Sequence, residues 1–230
     1  MEKSVKYLDE VTIRFAGDSG DGMQLTGSQF SNTSGTLGND VNTFPDYPSE
    51  IRAPEGTLYG VSAYQIQFGQ KRVNTPGDEI DVLVAMNASS LKVNLPNVKK
   101  NGILIVNSDG FDEKNLKLAK FETNPLKDDS LNEYQVYSVD MTSYMKKVLE
   151  DTKLSVKEVE RTKNFFALGL TYWLFNRPLD KTVKWLNDKF AKKPYIRDAN
   201  IRAIQAGWEY GASRQEMAVQ YHVEIGRAHV

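Results

Sequence analysis

Residues 11–37 read VTIRFAGDSGDGMQLTGSQFSNTSGTL, and this stretch decides the fold. Its first six residues alternate and are rich in β-branched and aromatic side chains, which predicts a strand over 11–16. The run Gly17-Asp18-Ser19-Gly20-Asp21-Gly22 then breaks the strand, and the pattern that follows predicts a helix over 23–37. A strand, a glycine turn and a helix in that order form the opening unit of an α/β sheet.

Working outward, residues 41–44 predict a short strand leading into a proline-bearing loop over 45–54. A long strand is predicted over 57–68, with Val61, Ala63, Gln65 and Gln67 on one face and Ser62, Tyr64, Ile66 and Phe68 on the other. Pro76-Gly77 marks a turn. Residues 80–86 and 102–106 are compact apolar runs, the signature of parallel strands buried on both faces. Between them, residues 89–98 predict a brief helix interrupted at Pro96. A further strand is predicted over 134–139, followed by helices over 141–150, 156–175, 182–191 and 197–211. The expected fold is therefore a single doubly wound, mostly parallel α/β sheet of Rossmann-like type, with a helix-rich C-terminal third.

The composition narrows the chemistry. The 230 residues carry 29 Lys and Arg against 30 Asp and Glu, a net charge of −1, so no broad basic field invites nucleic acid or a membrane surface. No apolar run approaches membrane-spanning length, and residues 1–10 lack the apolar core of a leader, which predicts a cytoplasmic protein. With no cysteine, the chain cannot ligate an iron–sulfur cluster through thiolates or close a disulfide. The two histidines, His222 and His229, lie at the C-terminus, so neither a histidine metal triad nor a Ser/His pair can be assembled in the body of the domain.

In an open parallel sheet, ligands bind outside the carboxyl ends of the strands. The residues there form a polar set: Gly17 to Gly22 after the first strand, Asn87 and Ser89 after the apolar run at 80–86, and Asn107, Ser108 and Asp109 after that at 102–106. Glycines let the backbone approach a ligand, and amides at the start of the following helix, beginning at Met23, suit a phosphate. Gly20-Asp21-Gly22 begins a dinucleotide-binding pattern, but Leu25 stands where its third small residue belongs, which argues against ordinary NAD binding. Asp18 and Asp21 would repel a phosphate unless they turn away to cap neighbouring amides. A ligand-free tight turn fits the same residues, and the pattern leaves both readings open.

Several segments taken together carry a resemblance. RFAGDSGDGMQLTG (14–27), EIRAPEGTLYGVSAYQIQFG (50–69), TPGD (75–78), DVLVAMN (81–87), LIVNSD (104–109), RTKNFFALG (161–169) and FAKKP (190–194) occur in order and resemble the gamma region of 2-oxoacid:ferredoxin oxidoreductases, most closely in the alpha subunit of the 2-oxoglutarate type. Such enzymes convert a 2-oxoacid, CoA and oxidised ferredoxin into an acyl-CoA, carbon dioxide and reduced ferredoxin. The resemblance implies a gamma domain over residues 1–223 that helps bind CoA and supplies no catalytic residue or metal ligand. Thiamine pyrophosphate, magnesium and a 4Fe-4S cluster are expected in the beta subunit and the remaining alpha domain. It implies that the loop Gly17, Ser19, Gly20, Asp21, Gly22 and Met23 cradles part of the CoA, and that Asn164 contacts it. Asn107 joins them as a polar strand end, and Arg52 and Arg197 on their charge and family-typical loops. A nucleotide-binding regulatory domain and a structural docking domain of the same complex are the rival readings.

Each candidate has a plainer reading. Asn164 can fix its apolar helix through backbone hydrogen bonds, Arg52 can brace its loop through Glu50 or Asp46, and Lys192-Lys193 can be a solvated helix end. Residues 225–230, IGRAHV, are what the triplets ATC GGA AGA GCA CAC GTC encode, a string resembling a sequencing adapter. Residues 224–230 are accordingly expected to be an artefact that interrupts a longer polypeptide. Reading the same locus from an independent assembly checks this, because IGRAHV followed by a stop codon would refute it.

Overall fold

The computed structural model describes residues 4–47 and 60–225. In chain order the elements are β1 (Ser4–Leu8), β2 (Glu10–Asp18), α1 (Met23–Thr36), β3 (Asp40–Asp46), β4 (Val61–Gly69), β5 (Ile80–Ala85), α2 (Ala88–Asn94), β6 (Val98–Asn107), α3 (Glu113–Leu118) and β7 (Gln135–Val139). There follow α4 (Met141–Val148), α5 (Val156–Arg161), α6 (Lys163–Leu174), α7 (Asp180–Lys189), α8 (Pro194–Ser213) and β8 (Val219–Val223). Among the described residues the strands form a six-stranded sheet in the order β3-β4-β2-β5-β6-β7 and a two-stranded ribbon, β1-β8. The run β2-β5-β6-β7 is parallel, while β4 lies antiparallel to both β2 and β3. The sheet is thus mostly parallel with an antiparallel edge.

Side-chain alternation in the central strands feeds two cores. Ile13, Phe15, Val82, Val84, Ile103 and Ile105 pack with α1, α4, α6 and α8 on one face. Leu83, Ala85, Leu104 and Val106 pack with α2 and the segment around α3 on the other. The faces expected for β4 hold: Ile66 and Phe68 join the first core and Ala63 the second. On the first face Phe30 of α1 is ringed by Phe15, Phe68, Tyr172 and Phe175, with centroid separations of 5.3 to 6.0 Å. Such offset and edge-on pairs add to the stabilisation from burial.

Polar groups inside these cores are mostly spoken for. The Tyr172 hydroxyl donates to the Gln29 carbonyl at 3.0 Å and lies 2.8 Å from both Thr33 Oγ1 and Thr182 Oγ1, tying α1, α6 and α7 together. Burial pushes its phenol up to about 12. Tyr172→Phe would leave these buried partners short of a hydrogen bond, and we expect a loss of about 1–3 kcal/mol, read from the urea midpoint at unchanged slope. Arg177, also buried, donates to Asn39 Oδ1 at 2.7 Å and sits 5.2 Å from the centre of the Phe68 ring. Desolvation lowers its pKa to about 10, so the guanidinium stays charged at neutral pH.

Several boundaries differ from expectation. The helix predicted over 89–98 stops at Asn94 and tightens into a 3₁₀ turn over Leu95–Asn97, because Pro96 cannot donate to an α-helical ladder. β6 begins at Val98, ahead of the predicted 102, with a register shift opposite β5 where Ile80 pairs with Val98 and Val82 with Ile103. The single helix predicted over 156–175 is two, α5 and α6, meeting at Thr162. Residues 57–59 of the predicted long strand lie outside the described residues.

Candidate functional site

The glycine loop joins the end of β2 to α1. Asp21 N donates to Asp18 O at 2.9 Å, and Ser19 N to Gly60 O at 2.7 Å, which ties the loop to the start of β4. Gly20 and Gly22 have φ of 114° and 77°, in the left-handed region that side chains with a Cβ avoid. Gly22 is also the N-cap of α1 and leaves that helix without a side-chain cap. A Cβ on Gly22 would stand 2.4 Å from Asn164 Nδ2, so the loop lies directly against the start of α6.

The two acidic residues of the loop take different roles. Asp21 accepts from the Asp18 amide at 3.0 Å and pairs with Lys163 Nζ at 3.0 Å, turned back as a cap. Asp18 is exposed at its tip, yet its carboxyl pKa is raised: desolvation by the cleft walls dominates, Asp21 adds to it, and the Asn87 hydrogen bond and Lys163 oppose it. The folded state holds this proton to higher pH than the unfolded chain does. The contribution of Asp18 to stability therefore falls as pH rises above its ordinary value of 3.8 and stays unfavourable beyond the raised one. Asp18→Asn is expected to raise the melting temperature near neutrality, with no gain well below pH 3.8; thermal scans across that range check the sign.

Two clefts flank the loop. The first, of about 390 Å³, opens at the carboxyl ends of β2, β5 and β6 and is lined by Asp18, Asp21, Asp109 and Glu160 against Lys146 and Lys163. The second, of about 320 Å³, lies between α1, α5, α6 and the start of α8. Its walls include Leu25, Phe165, Phe190 and Tyr195, and Arg161 and Lys193 are its cations. Lys163 and Asn164, consecutive residues at the start of α6, face the two clefts from one point.

Of the residues expected at the site, Gly17 lies near the end of β2, Ser19, Gly20, Asp21 and Gly22 form the loop, and Met23 opens α1, with Asn164 and Asn107 as neighbours. Met23 contributes only its backbone there, because its side chain is buried in the core. Asn107 lines the first cleft, but its side chain is engaged. Nδ2 donates to Met86 O at 3.2 Å and to Thr142 Oγ1 at 3.4 Å, and Oδ1 accepts from Met141 N at 3.1 Å. Asp109 likewise accepts from Ser143 N and Oγ at 2.7 and 2.8 Å. These two residues hold the first turn of α4 against the end of β6, which is a reason for polar residues after that strand other than ligand contact. Arg197 pairs with Asp198 at 2.7 Å and lines neither cleft. Arg52 lies outside the described residues.

Arg161 and Lys163 fall within the segment 161–169 without standing out singly in sequence as site residues, Asn200 lies outside the quoted segments, and Lys193 fits a solvated helix end as readily as a cleft wall. Lys163 and Asn164 were legible as a pair, being the polar residues that open an otherwise apolar helix. Asn200 carries a fainter signal: with Ala203, Gly207 and Gly211 it falls on one stripe of α8 at helical spacing, a polar residue on a face of small ones.

Comparison with known proteins places this geometry. The family model described as pyruvate ferredoxin/flavodoxin oxidoreductase matches residues 12–210. The 2-oxoglutarate oxidoreductase subunit KorA of Mycobacterium tuberculosis is 46% identical over 216 residues, covering 94% of this chain and 33% of that protein. The alpha subunit of a Sulfolobus 2-oxoacid:ferredoxin oxidoreductase is 24% identical over 87% of this chain and 34% of its own length. The chain thus spans about a third of the length of these relatives. Among solved structures, the 2-oxoglutarate:ferredoxin oxidoreductase of Magnetococcus marinus superposes with a TM-score of 0.72 at 24% identity, over 96% of this chain and 34% of that one. The gamma subunit of a keto/oxoacid ferredoxin oxidoreductase from Geobacter sulfurreducens gives 0.61 at 18% identity, over 88% of this chain and 96% of that one. With the glycine loop, the mostly parallel sheet and the start of α6 all inside the matched region, the chain belongs to the pyruvate ferredoxin/flavodoxin oxidoreductase family.

Proposed function

We propose that residues 1–223 form the CoA-handling gamma domain of a 2-oxoacid:ferredoxin oxidoreductase of the 2-oxoglutarate type, working with a beta subunit and with the rest of an alpha subunit. The observation that carries the reading is the loop itself: two left-handed glycines bring backbone amides to the uncapped start of α1, against Asn164 and beside a cleft with cationic and apolar walls. The likeness to KorA supports the oxoglutarate type, and the Magnetococcus marinus enzyme, solved with 2-oxoglutarate, coenzyme A and succinyl-CoA bound, supports the ligand. We read the sheet as doubly wound and Rossmann-like with a helix-rich C-terminal third, which puts the loop at the strand ends where such folds bind ligands. A cytoplasmic location with ferredoxin as electron acceptor belongs to the same proposal. Among the described residues no helix is long and apolar enough to cross a membrane.

In this reading the chain contributes binding and orientation. Loop amides and nearby cations hold the phosphate-bearing part of CoA, so that its thiol is presented to the acyl group formed in neighbouring regions, a gain from proximity. Thiamine pyrophosphate, magnesium and the 4Fe-4S cluster would supply decarboxylation and electron transfer there; this chain has no cysteine with which to ligate such a cluster. Titration calorimetry of the chain with CoA, with NAD as competitor and with Gly22→Trp as the blocked variant, tests the proposal. Saturable CoA binding abolished by Gly22→Trp is expected. No binding, or preference for NAD, would favour the docking or nucleotide-sensing domain instead.

A further inference from the structure

The two clefts differ in what they can hold. In the first, both lysines are already matched, Lys163 with Asp21 at 3.0 Å and Lys146 with Glu160 at 3.2 Å, and Asp18 and Asp109 add further acid. An anion entering it meets unbalanced carboxylates. In the second, Glu158 is the acid; its carboxylate accepts from the Ser155 amide and hydroxyl at 2.8 and 2.7 Å and is also within the field of Arg161 and Lys193, so that two cations against one acid leave the cleft net positive. The second cleft is also the more apolar, so it suits a ligand with an anionic end and a largely apolar body.

Its buried polar groups specify more. Asn164 is 7% exposed and Asn200 6% exposed, and both line this cleft. Asn164 Oδ1 accepts from Phe165 N at 2.8 Å, while its Nδ2 has no acceptor among the described residues. The Asn200 carboxamide has no hydrogen-bond partner among them at either atom. Neither carboxamide is sealed in: the fully buried unpaired side-chain atoms among the described residues are Gln24 Oε1, Ser34 Oγ and Arg177 Nε, so the unpaired atoms of Asn164 and Asn200 open on the cleft, where a ligand can reach them. A carboxamide offers one donor group and one acceptor, which is the complement of a secondary amide.

Resting on the CoA reading above, we infer that the amide-bearing pantetheine arm lies in the α1–α6–α8 cleft and that Asn200 is a ligand-binding residue, pairing its carboxamide with an amide of that arm. Asn164 binds the same arm from the loop side, and Arg161 and Lys193 face the phosphates. The acidic cleft at the strand ends is left outside the CoA path.

The test is titration of the 230-residue chain, native and Asn200→Ala, with CoA and with adenosine 3′,5′-bisphosphate, which keeps a nucleotide end but lacks the arm; melting curves confirm that the variant is folded. Loss of one such hydrogen-bonded contact predicts CoA affinity about tenfold weaker in Asn200→Ala, with binding of the bisphosphate unchanged. CoA binding that is unaltered in both Asn200→Ala and the bulkier Asn200→Leu would overturn the inference while leaving the CoA reading intact. Equal weakening of CoA and the bisphosphate would move Asn200 to the nucleotide end and overturn it as well. A native chain that takes up no CoA removes the CoA reading and this inference with it.

Discussion

Gly207→Ala is expected to lower the melting temperature by about 4–8 °C, although alanine is the better helix former. Intrinsic propensity favours the change by up to about 1 kcal/mol. Against it, a Cβ on Gly207 would stand 2.0 Å from the Phe166 carbonyl oxygen and 2.9 Å from Leu170 N, so α8 meets the backbone of α6 there. Gly169 on α6 makes the reciprocal approach, 2.0 Å from the Ile204 carbonyl oxygen. Backbone atoms cannot rotate aside as a side chain can, so the helices must separate and their shared core must loosen, at about 3 kcal/mol or more. Net of the propensity gain about 2 kcal/mol is lost, and at roughly 2–4 °C per kcal/mol for a chain of this size that gives the shift stated. Gly35→Ala is the matched control. Gly35 lies in α1, exposed, with Val41 Cγ2 at 4.0 Å as its nearest contact, and there the same change should stabilise by up to about 1 kcal/mol. Two glycine-to-alanine variants of opposite sign would show that the helix crossing, rather than glycine as such, sets the cost.

Gly22→Ala carries the second large effect, and it falls on binding as well as stability. At φ 77° a Cβ is strained, which costs of order 1–3 kcal/mol, and it would also displace the Asn164 carboxamide 2.4 Å away. Gly20 separates the two causes, because it is left-handed too, with φ 114°, but has nothing within 4 Å of its Cβ position. Both variants should melt earlier than the native chain. If the loop and Asn164 hold CoA jointly, Gly22→Ala should weaken CoA binding tenfold or more beyond the loss seen in Gly20→Ala, read by calorimetry on folded samples. Equal losses would mean that loop conformation, and not contact with Asn164, governs the site.

The parts of this structure legible in sequence are those where backbone conformation or burial leaves few residue types as local solutions. The φ of 114° at Gly20 needs glycine and the left-handed backbone at Gly22 favours it, although Asn101, Lys120 and Asn176 hold positive φ elsewhere. Strands buried on both faces need apolar runs such as 80–86, so the loop, β2, β5 and β6 could be located in advance. The orientation of β4 was not legible, since alternation fixes which residues share a face but not which way a strand runs. α3 went unforeseen because its six residues bury no side chain fully and so carry no apolar stripe. β1 was hidden by exposure along most of its length.

At the site the limit was different. Residues such as Asn107 and Asp109 are polar for the sake of the α4 start, and a list of polar strand ends cannot separate such struts from ligand contacts. Asn200 acquires meaning only when α8 is laid against α6, far from it in sequence.

The ribbon of β1 and β8 bears on how the molecule assembles. It joins positions as far apart as Ser4 and Ala218, a separation of 214 residues, through two short strands, the first of them mostly exposed. Closing so long a loop early would cost entropy that so small a ribbon cannot return, and a two-stranded sheet has little independent stability. The ribbon is therefore a late event in folding and an early one in opening. The β1 amides should exchange with solvent by local fraying while β5 and β6 remain protected, and β8, anchored by Tyr221 and Val223 in the main core, should open after β1.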